Sequence, residues 1–456
     1  MIWSGFTALA QNQQLLYNFE SLPQSLLLNP GAEPAFNFHV GVPLLSKIHL
    51  SGGSTGVTVY DIFKIDPATT LSDRIKSSLA TMNSKDFGML HEQVEILSAG
   101  WRGKDDIYYS AGVYQELDVF GYVPSELALM IWEDSLTTAR HFDFSDIAFT
   151  ADLVNVWHFG ISKQQDRYTT FGIRGKLYSS AVNIRSTSNS GSYTMLEGSR
   201  PGTYIPMVHQ ADMQIRTSGV RRLANTNGVR KEVKDEILNG LFFGGGLGLG
   251  LDIGFTRRFN YNWKVSGSVL DLGFIYNFQD VETYKYWGDS RGAIVELEYN
   301  YPEDKPLDRV DNLVTDLEEI FDDDTFYDSY FALRPIKLNA ALDYGWGEDL
   351  EPCNYLHRPH RKRFNHYLGF HLFSMIRPKR FIPAATVYYD GKLFKGLRGK
   401  FTYTVDSFSY TNIGAMVSAQ MGWVNLYLGA DNLLSLADLA KSHQASVQMG
   451  VQVIIN

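Results

Sequence analysis

The chain has 456 residues, enough for two or three soluble domains or for one large β-barrel. Its 41 basic and 50 acidic residues give a net charge of −9, which argues against general nucleic-acid binding. A single cysteine, Cys353, excludes an intramolecular disulfide. The 26 Tyr and 28 Phe are many for a soluble enzyme and suit a membrane barrel, whose bilayer boundaries carry aromatic girdles.

The first ten residues are apolar and end in Ala8-Leu9-Ala10. An A-x-A end after an apolar stretch predicts a signal-peptide remnant at residues 1–10, cleaved before Gln11. The alternative is an apolar N-terminal strand. No later stretch supplies the ~20 apolar residues of a transmembrane helix. An exported chain of this kind is released, periplasmic or a membrane barrel.

Residues 11–35 do not have the pattern of a strand, because they contain Pro23, Pro30 and Pro34. Their apolar side chains would be costly to leave in water, so a cavity must receive them. We expect this segment to lie in the barrel lumen as a plug that blocks a continuous pore. The alternative is that a partner protein buries these side chains. The apolar side chains are Leu15, Leu16, Tyr17, Phe19, Leu26, Leu27 and Leu28.

Alternation of apolar and small or polar residues recurs along the rest of the chain. In residues 246–255 it predicts a lipid-facing set and a lumen-facing set, respectively Leu247, Leu249, Leu251 and Ile253, and Gly248, Gly250 and Asp252. In residues 149–161 the apolar set is broken only by Asn155. The last segment, 446–455, alternates too, although the chain ends in Asn456 rather than an aromatic residue.

A soluble β-sandwich also alternates, but segments of ten or more residues fit a tilted membrane crossing better. The predicted fold is all-β: a transmembrane antiparallel β-barrel of about 14 strands over residues 36–456, with short helical loop segments. Two segments have helical spacing. One contains Leu71, Ile75, Leu79 and Met82, and the other covers residues 307–320 and ends in the acidic run Asp322-Asp323-Asp324.

Three clusters invite a chemical interpretation. The run from Gly244 to Gly250 lacks the sixth glycine of a dinucleotide loop and continues as a strand, so a glycine-lined strand face is expected. The spacing of Cys353, His357 and His360 resembles part of a zinc site, but Arg358 and the run Arg361-Lys362-Arg363 would repel a cation. A basic loop that could touch lipopolysaccharide phosphates or a partner is the simpler interpretation.

The acidic segment from Asp316 to Asp324 lacks the twelve-residue calcium-loop pattern, so a solvated helix end is expected. No G-x-S-x-G nucleophile elbow is present. The sequence therefore predicts a protein that is not an enzyme, with no catalytic, cofactor-binding or metal-binding residues.

Four segments carry a resemblance to a known family: Leu22-Pro23-Gln24-Ser25-Leu26-Leu27-Leu28-Asn29-Pro30, residues 38–43, residues 268–275 and residues 426–434. They resemble, in this order, a β-barrel family of the Bacteroidota outer membrane whose function is unknown. The early Asn29-Pro30 element is also similar to barrels associated with type IX secretion and gliding. The resemblance implies an outer-membrane location and brings no catalytic residues.

Three functions remain open. The first is a transport or channel-like barrel for a small or hydrophobic solute, since about fourteen strands enclose more space than side chains fill. The second is a structural or docking subunit of a secretion, gliding or envelope machine. The third is a soluble exported β-protein that binds carbohydrate. Expected partners are outer-membrane lipid, lipopolysaccharide and the barrel-assembly machinery, and for the second function an envelope complex.

The pattern predicts that the mature chain starts near Gln11 and resides in the outer membrane. Fractionation of cells and N-terminal sequencing of the purified protein test this. Recovery from the periplasm or the medium without detergent would contradict the membrane location.

Overall fold

A computed structural model describes residues 13–64, 69–132, 140–200, 203–224, 230–290, 297–298, 321–349, 363–406, 408, 410–433 and 442–455. The expected signal peptide, the cluster of Cys353, His357 and His360, and the helical pattern over 307–320 lie outside these ranges. The helices are α1 Ser25–Leu28, α2 Val59–Phe63, α3 Leu71–Thr81, α4 Ser125–Trp132, α5 Val220–Ala224 and α6 Arg230–Asn239. None of the helices in the described ranges is both long and apolar enough to cross a bilayer.

The strands in the described ranges are β1 Phe38–Gly41, β2 Ile48–Ser54, β3 Phe87–Arg102, β4 Ile107–Tyr122, β5 Arg140–Asp143, β6 Ala148–Gln164, β7 Thr169–Ser186, β8 Ser190–Glu197, β9 Thr203–Ser218, β10 Gly246–Arg258, β11 Trp263–Asn277, β12 Val281–Gly288, β13 Leu297–Glu298, β14 Asp322–Phe326, β15 Tyr330–Leu333, β16 Lys337–Glu348, β17 Phe364–Arg377, β18 Arg380–Phe394, β19 Leu397–Val405, β20 Asn412–Met421, β21 Val424–Asp431 and β22 Gln444–Ile455.

These strands close into an antiparallel barrel with 14 positions. In order around the wall the positions are β1 with β2, β3, β4, β6, β7, β10, β11, β15 with β16, β17, β18, β19, β20, β21 and β22. The last strand, β22, pairs with β1 and β2, from Phe38 opposite Ile455 to Gly53 opposite Gln444. The predicted barrel and its strand number are confirmed. Closure satisfies every edge, which a sheet in lipid requires.

The two ends of the barrel differ. At the terminal end, where β1 begins and β22 ends, most connections are short, such as residues 395–396 and 422–423. The loop end has long connections, including residues 55–86, 123–147 and 187–245. There β5, β8, β9, β12 and β14 form an additional layer, the loop-end sheet, joined to the barrel where β9 pairs with residues 183–185 of β7.

The acidic run is not the helix end that we expected. Asp322, Asp323 and Asp324 begin β14, which pairs antiparallel with β12 in the loop-end sheet. Asp324 lies opposite Lys285, and an opposite-charge cross-strand pair stabilises such an arrangement. The expected helix around Leu71 is confirmed as α3. Its N-cap Thr70 forms a capping box with Asp73, and the hydrogen bond from the Thr70 side chain lowers the pKa of Asp73.

The two faces of the wall follow the predicted alternation. On β10, Leu249 and Ile253 are 61% and 45% exposed on the outside, whereas Asp252 is fully buried inside. Asn155, which breaks the outer apolar set of β6, is covered: its Nδ2 donates to the Leu241 carbonyl at 3.2 Å. The turn over Gly240–Gly244 therefore folds over the outside of the wall and accepts a hydrogen bond from the Asn155 amide group, which lipid could not do.

Exposed aromatic rings form two belts on the outside. Near the terminal end, Trp263 contacts Tyr344 at 5.1 Å, and the rings continue through Trp346. Near the loop end, Phe274 contacts Phe331 at 5.5 Å. Phe274 lies eleven residues beyond Trp263 on β11. At a rise of about 3.3 Å and a tilt of about 40°, this corresponds to about 28 Å, close to the ~25 Å apolar band of outer-membrane barrels.

The belts give the bilayer depth of each outer residue, and this depth determines the cost of placing a cation there. Leu249 pairs with Phe274 of the loop-end belt, whereas Ile253 pairs with Val269, between the belts. We predict that Ile253→Arg lowers the free energy of unfolding by ~2–4 kcal/mol and Leu249→Arg by ~0–1 kcal/mol, because the cost of a cation falls towards the interface. Urea titration in phospholipid vesicles measures both.

Ile253→Met is the matched control, which keeps the outer face apolar and should change little. The lumen glycine Gly250 is not a neutral control, because a Cβ there would lie 2.2 Å from the Tyr178 hydroxyl. Equal costs for arginine at the two outer positions would contradict the assigned bilayer depth.

Candidate functional site

The N-terminal segment 13–35, here called the plug, lies inside the barrel. Leu15, Leu16, Tyr17, Phe19 and Leu22 are all completely buried. They pack with the inward side chains of three wall strands, Ala341, Met416 and Tyr427. The lumen is therefore the cavity that receives these apolar side chains.

The plug backbone forms turns within itself, in which for example the Leu16 amide donates to the Gln13 carbonyl at 2.9 Å, and wall side chains bind some of its carbonyl groups. On β19, the Lys400 ammonium donates to the carbonyl oxygens of Gln14 and Tyr17 at 3.2 and 2.5 Å. Thr404 Oγ1 on the same strand donates to Gln14 Oε1 at 3.0 Å. A lysine at a lumen position thus binds two buried carbonyl groups of the plug, of which that of Gln14 also accepts from the Tyr17 amide at 3.3 Å.

The middle of the plug bonds to the neighbouring wall. Asn18 Nδ2 donates to Ser266 Oγ on β11 at 2.9 Å and to Asp343 Oδ2 on β16 at 2.8 Å. Glu20 forms a salt bridge of 2.7 Å with Lys264. The plug is consequently held by strands on several sides of the lumen.

The plug helix α1 ends against β7. Arg174 on β7 donates to the carbonyl oxygens of Leu26 and Leu27 and also pairs with Asp252 at 3.2 Å. The last carbonyl groups of a helix lack partners within it and are stabilised by a cation.

Glycines of the wall give the plug the space to approach. A Cβ at Gly172 would lie 2.0 Å from the Pro30 carbonyl oxygen, and one at Gly254 would lie 2.1 Å from Asn29 Oδ1. The glycine-lined face expected for β10 is present. Its role at Gly254 is contact with the plug.

Beside the plug the lumen holds a layer of paired charges, here called the charge layer. Lys176 bridges Asp252 and Asp271 at 2.9 and 2.6 Å, and Lys337 contacts Asp271 at 3.1 Å. Asp271 adopts a left-handed backbone conformation, φ 61°, at a bulge between β10 and β11. Five cations and five carboxylates make up the layer: Arg174, Lys176, Arg334, Lys337 and Arg377, and Glu116, Asp118, Asp152, Asp252 and Asp271.

One part of the charge layer has the donor types of a metal site. His91, Glu116 and Asp118 bring their ligand atoms within 4.8 Å of one another. Glu116 already contacts Arg334 at 2.6 Å, and Asp118 accepts two hydrogen bonds from Arg377 at 2.8 and 2.9 Å. Because a metal ion would have to displace both guanidinium groups, we interpret the cluster as ion pairing.

Two further regions of the lumen border this arrangement. Towards the loop end, inward aromatic residues such as Phe87, Phe120 and Phe408 form an apolar cluster. Towards the terminal end, a cavity of about 180 Å³ lies between the plug and the wall, lined in part by Glu20 and Arg398.

The predicted basic loop is described only at its last residue. Arg363 donates to the Pro34 and Ala35 carbonyl oxygens at 2.9 and 3.0 Å, so it anchors the end of the plug. Cys353, His357, His360, Arg358, Arg361 and Lys362 lie outside the described residues. Our reading of the sequence did not single out Lys400, Lys264 or Asp343. The sequence does indicate them, because each is a charged residue on the polar face of an alternating strand.

A closed barrel with an apolar belted exterior and a plugged, ion-paired lumen defines the class of a transmembrane β-barrel. The chain belongs to the family of unknown function DUF5723, which matches residues 30–431. The Bacteroidota origin and the link to type IX secretion stay predictions. No curated protein matches the chain.

Several solved structures are similar to this chain in the path of the backbone. The toluene transporter TodX of Pseudomonas putida is 11% identical, with a TM-score of 0.37, and the match covers 98% of this chain and 94% of that one. The toluene transporter TbuX of Ralstonia pickettii is 10% identical, with 96% and 95% covered and a TM-score of 0.30. The NalP autotransporter translocator domain of Neisseria meningitidis is 8% identical, with 92% and 89% covered and a TM-score of 0.29.

The charge layer predicts strong coupling between its members. Arg377→Met leaves Asp118 buried without its guanidinium, and we expect it to lower the free energy of unfolding by ~3–5 kcal/mol. The double variant Asp118→Leu/Arg377→Met removes both charges and should recover most of this loss. Urea titration of the wild type, both single variants and the double variant gives the coupling energy. If the double variant loses as much free energy of unfolding as the two single variants together, ion pairing between Asp118 and Arg377 would be contradicted.

Proposed function

We propose that this chain is a non-enzymatic outer-membrane transport barrel for a small solute, gated by its plug. The observation that carries the proposal is the position of residues 13–35 inside a 14-strand wall, where polar contacts to β11, β16 and β19 hold them. A barrel of this strand number encloses more space than its own side chains fill. A chain segment that closes this space can also open it.

The nature of the contacts supports a gate. Hydrogen bonds contribute roughly 0.5–1.5 kcal/mol each when water can replace the partner, so contacts such as that of Asn18 with Ser266 can exchange one by one. The salt bridges of Glu20 with Lys264 and of Glu33 with Arg258, both 2.7 Å, also become solvated when the plug moves. The polar lumen side chains at these contacts, such as Ser266 and Asp343, would tolerate the water that enters.

The orientation we propose places the terminal end in the periplasm, since outer-membrane barrels have short periplasmic turns and long external loops. The plug would then enter from the periplasm and the loop-end sheet would face outwards. Arg363, which anchors the end of the plug, would lie on the periplasmic side.

A second candidate, a docking subunit of an envelope machine, is favoured by the loop-end sheet. This sheet has an apolar core of its own, which includes Phe142, Tyr193 and Tyr204. A folded layer outside the barrel offers a partner a defined surface. The resemblance to type IX secretion and gliding barrels supports the same candidate, in which the plug would never leave.

Planar-bilayer conductance separates the two candidates. We predict that the intact protein is closed with brief openings and that deletion of residues 14–28 gives a stable conductance. A crosslinked variant, Asn18→Cys/Ser266→Cys in a Cys353→Ser background, tethers the plug at a side-chain contact of 2.9 Å. We expect no openings when it is oxidised and wild-type openings after reduction.

Reduction of the same protein is the matched control, because it changes only the tether. A stable open channel in the intact protein would contradict the plug as a gate. A deletion variant that folds but stays closed would favour the docking function.

A further inference from the structure

Between β22 and β3 the barrel wall is irregular, because the strand that should cross there is divided into β1 and β2. Gly41 lies opposite Gln452 and Ile48 lies opposite Met449. The chain therefore advances seven residues from β1 to β2 while β22 advances only three. Residues 42–47 thus contain a four-residue insertion, here called the wall insertion. On the other side, β3 has a bulge between Glu95 and Leu97 at the same level.

The wall insertion lies at bilayer depth. Phe38, at the start of β1, pairs with Trp101 of the terminal-end aromatic belt, and the insertion begins four residues further into the wall. Leu44 and Leu45 are 56% and 49% exposed on the outside, whereas Ser46 and Lys47 are fully buried inside. Irregular backbone at this depth is tolerated where it borders protein or a cavity rather than lipid alone.

A groove opens on the lipid side of the insertion. It has a volume of about 1130 Å³ and crosses the wall from Pro43 to Leu249. Small outward residues such as Ala99 and Ala111 lie within it, while Leu97, Trp157 and Leu177 are among its larger side chains. The groove therefore fits an apolar body dissolved in the bilayer.

The lumen side of the same wall region is thin and carries unpaired polar groups. A Cβ at Gly41 would meet Ser98 Oγ at 2.4 Å, and one at Gly112 would meet His158 Nε2 at 2.8 Å. Among the described residues, Ser98 Oγ and both ring nitrogens of His158 have no hydrogen-bond partner, although each side chain is only 8% exposed. A buried polar group without a partner is costly, so these groups suit a ligand that brings one.

The plug bonds directly to the wall insertion. Gln24 Nε2 donates to the Ser46 carbonyl at 3.0 Å, and Lys47 Nζ donates to Gln13 Oε1 at 2.5 Å. A displacement of the plug must break these contacts and release the insertion from the lumen side. The gate and the irregular wall are thus mechanically joined.

We propose that the wall insertion is a lateral portal, through which a small apolar molecule with one hydrogen-bonding group passes between the bilayer and the lumen. This rests on the proposed function, because the lumen must serve a solute for a side entrance to matter. The apolar body fits the groove, and the polar group meets Ser98 and His158 on the inner side.

Photolabelling tests the portal with a diazirine-bearing alkanol dissolved in vesicles that contain the full-length protein. We expect labels on the groove residues Leu97 and Leu249 and also on the lumen residues Leu27 and Tyr114, which share a cluster beside His158. Ala111→Phe fills the groove and should remove the lumen labels. Ala340→Phe, an outward alanine on β16 away from the portal, is the matched control and should keep them.

Deletion of residues 43–46 is the second variant. It joins β1 to β2 with two linking residues opposite two on β22, so the strand becomes regular and Lys47 keeps its inward position. Lumen labels should disappear while groove labels persist. Lumen labels unchanged in both variants, or groove labels without lumen labels in the wild type, would overturn the portal. The conductance of the variant without residues 14–28 tests the gate separately. If that deletion still opens a conductance, the portal alone has failed and the proposed gate stands.

Discussion

The arginine at position 174 is the interaction on which the arrangement of the lumen depends. Its guanidinium is buried to 1% exposure and joins three parts of the molecule: the end of the plug helix, the strand β7 and the carboxylate of Asp252. A buried cation is tolerated only when it is paired and hydrogen-bonded, and here the plug supplies carbonyl groups while the wall supplies the carboxylate. Without the plug, the Arg174 guanidinium would lose the Leu26 and Leu27 carbonyl groups and keep only the Asp252 carboxylate.

The same constraint explains why the charge layer can hold ten charged side chains. Lipid excludes them from the outer face, so the alternation of the strands directs them inwards. Equal numbers of cations and carboxylates then allow each to find a partner, as Lys176 does between Asp252 and Asp271. The bulge at Asp271 is part of this solution, because it turns a carboxylate towards Lys176 that a regular strand would place elsewhere.

The periodic features of the chain could be predicted from sequence, and the contacts between distant strands could not. Alternation at Leu249 and Asp252 predicted the two faces, and the prolines and leucines of residues 11–35 predicted a segment that needs a cavity. The role of Asn155 was hidden, because its partner Leu241 lies 86 residues away on a connection that folds over the wall. The acidic run at Asp322 was wrongly assigned to a helix end, since pairing with β12 outweighs local pattern. The bilayer depth of Leu249 also required the neighbouring strand, whose Phe274 marks the aromatic belt.

The wall insertion and the plug pose one physical problem together. A regular strand would pair its backbone groups with β22 and β3 alone. The insertion instead leaves Ser46 and Lys47 turned into the lumen. The Ser46 carbonyl then accepts from Gln24 of the plug, and the Lys47 ammonium is shared by Gln13 and Gln93. On the outer side of the insertion, the Leu45 amide donates a hydrogen bond to the Val42 carbonyl at 2.9 Å and forms a tight turn. The outer turn can therefore persist when the plug leaves, while the Ser46 carbonyl loses Gln24 and the Lys47 ammonium loses Gln13 and keeps Gln93. Movement of the plug would thus change the partners of these two groups next to the groove, and this would link the proposed gate to the proposed lateral portal.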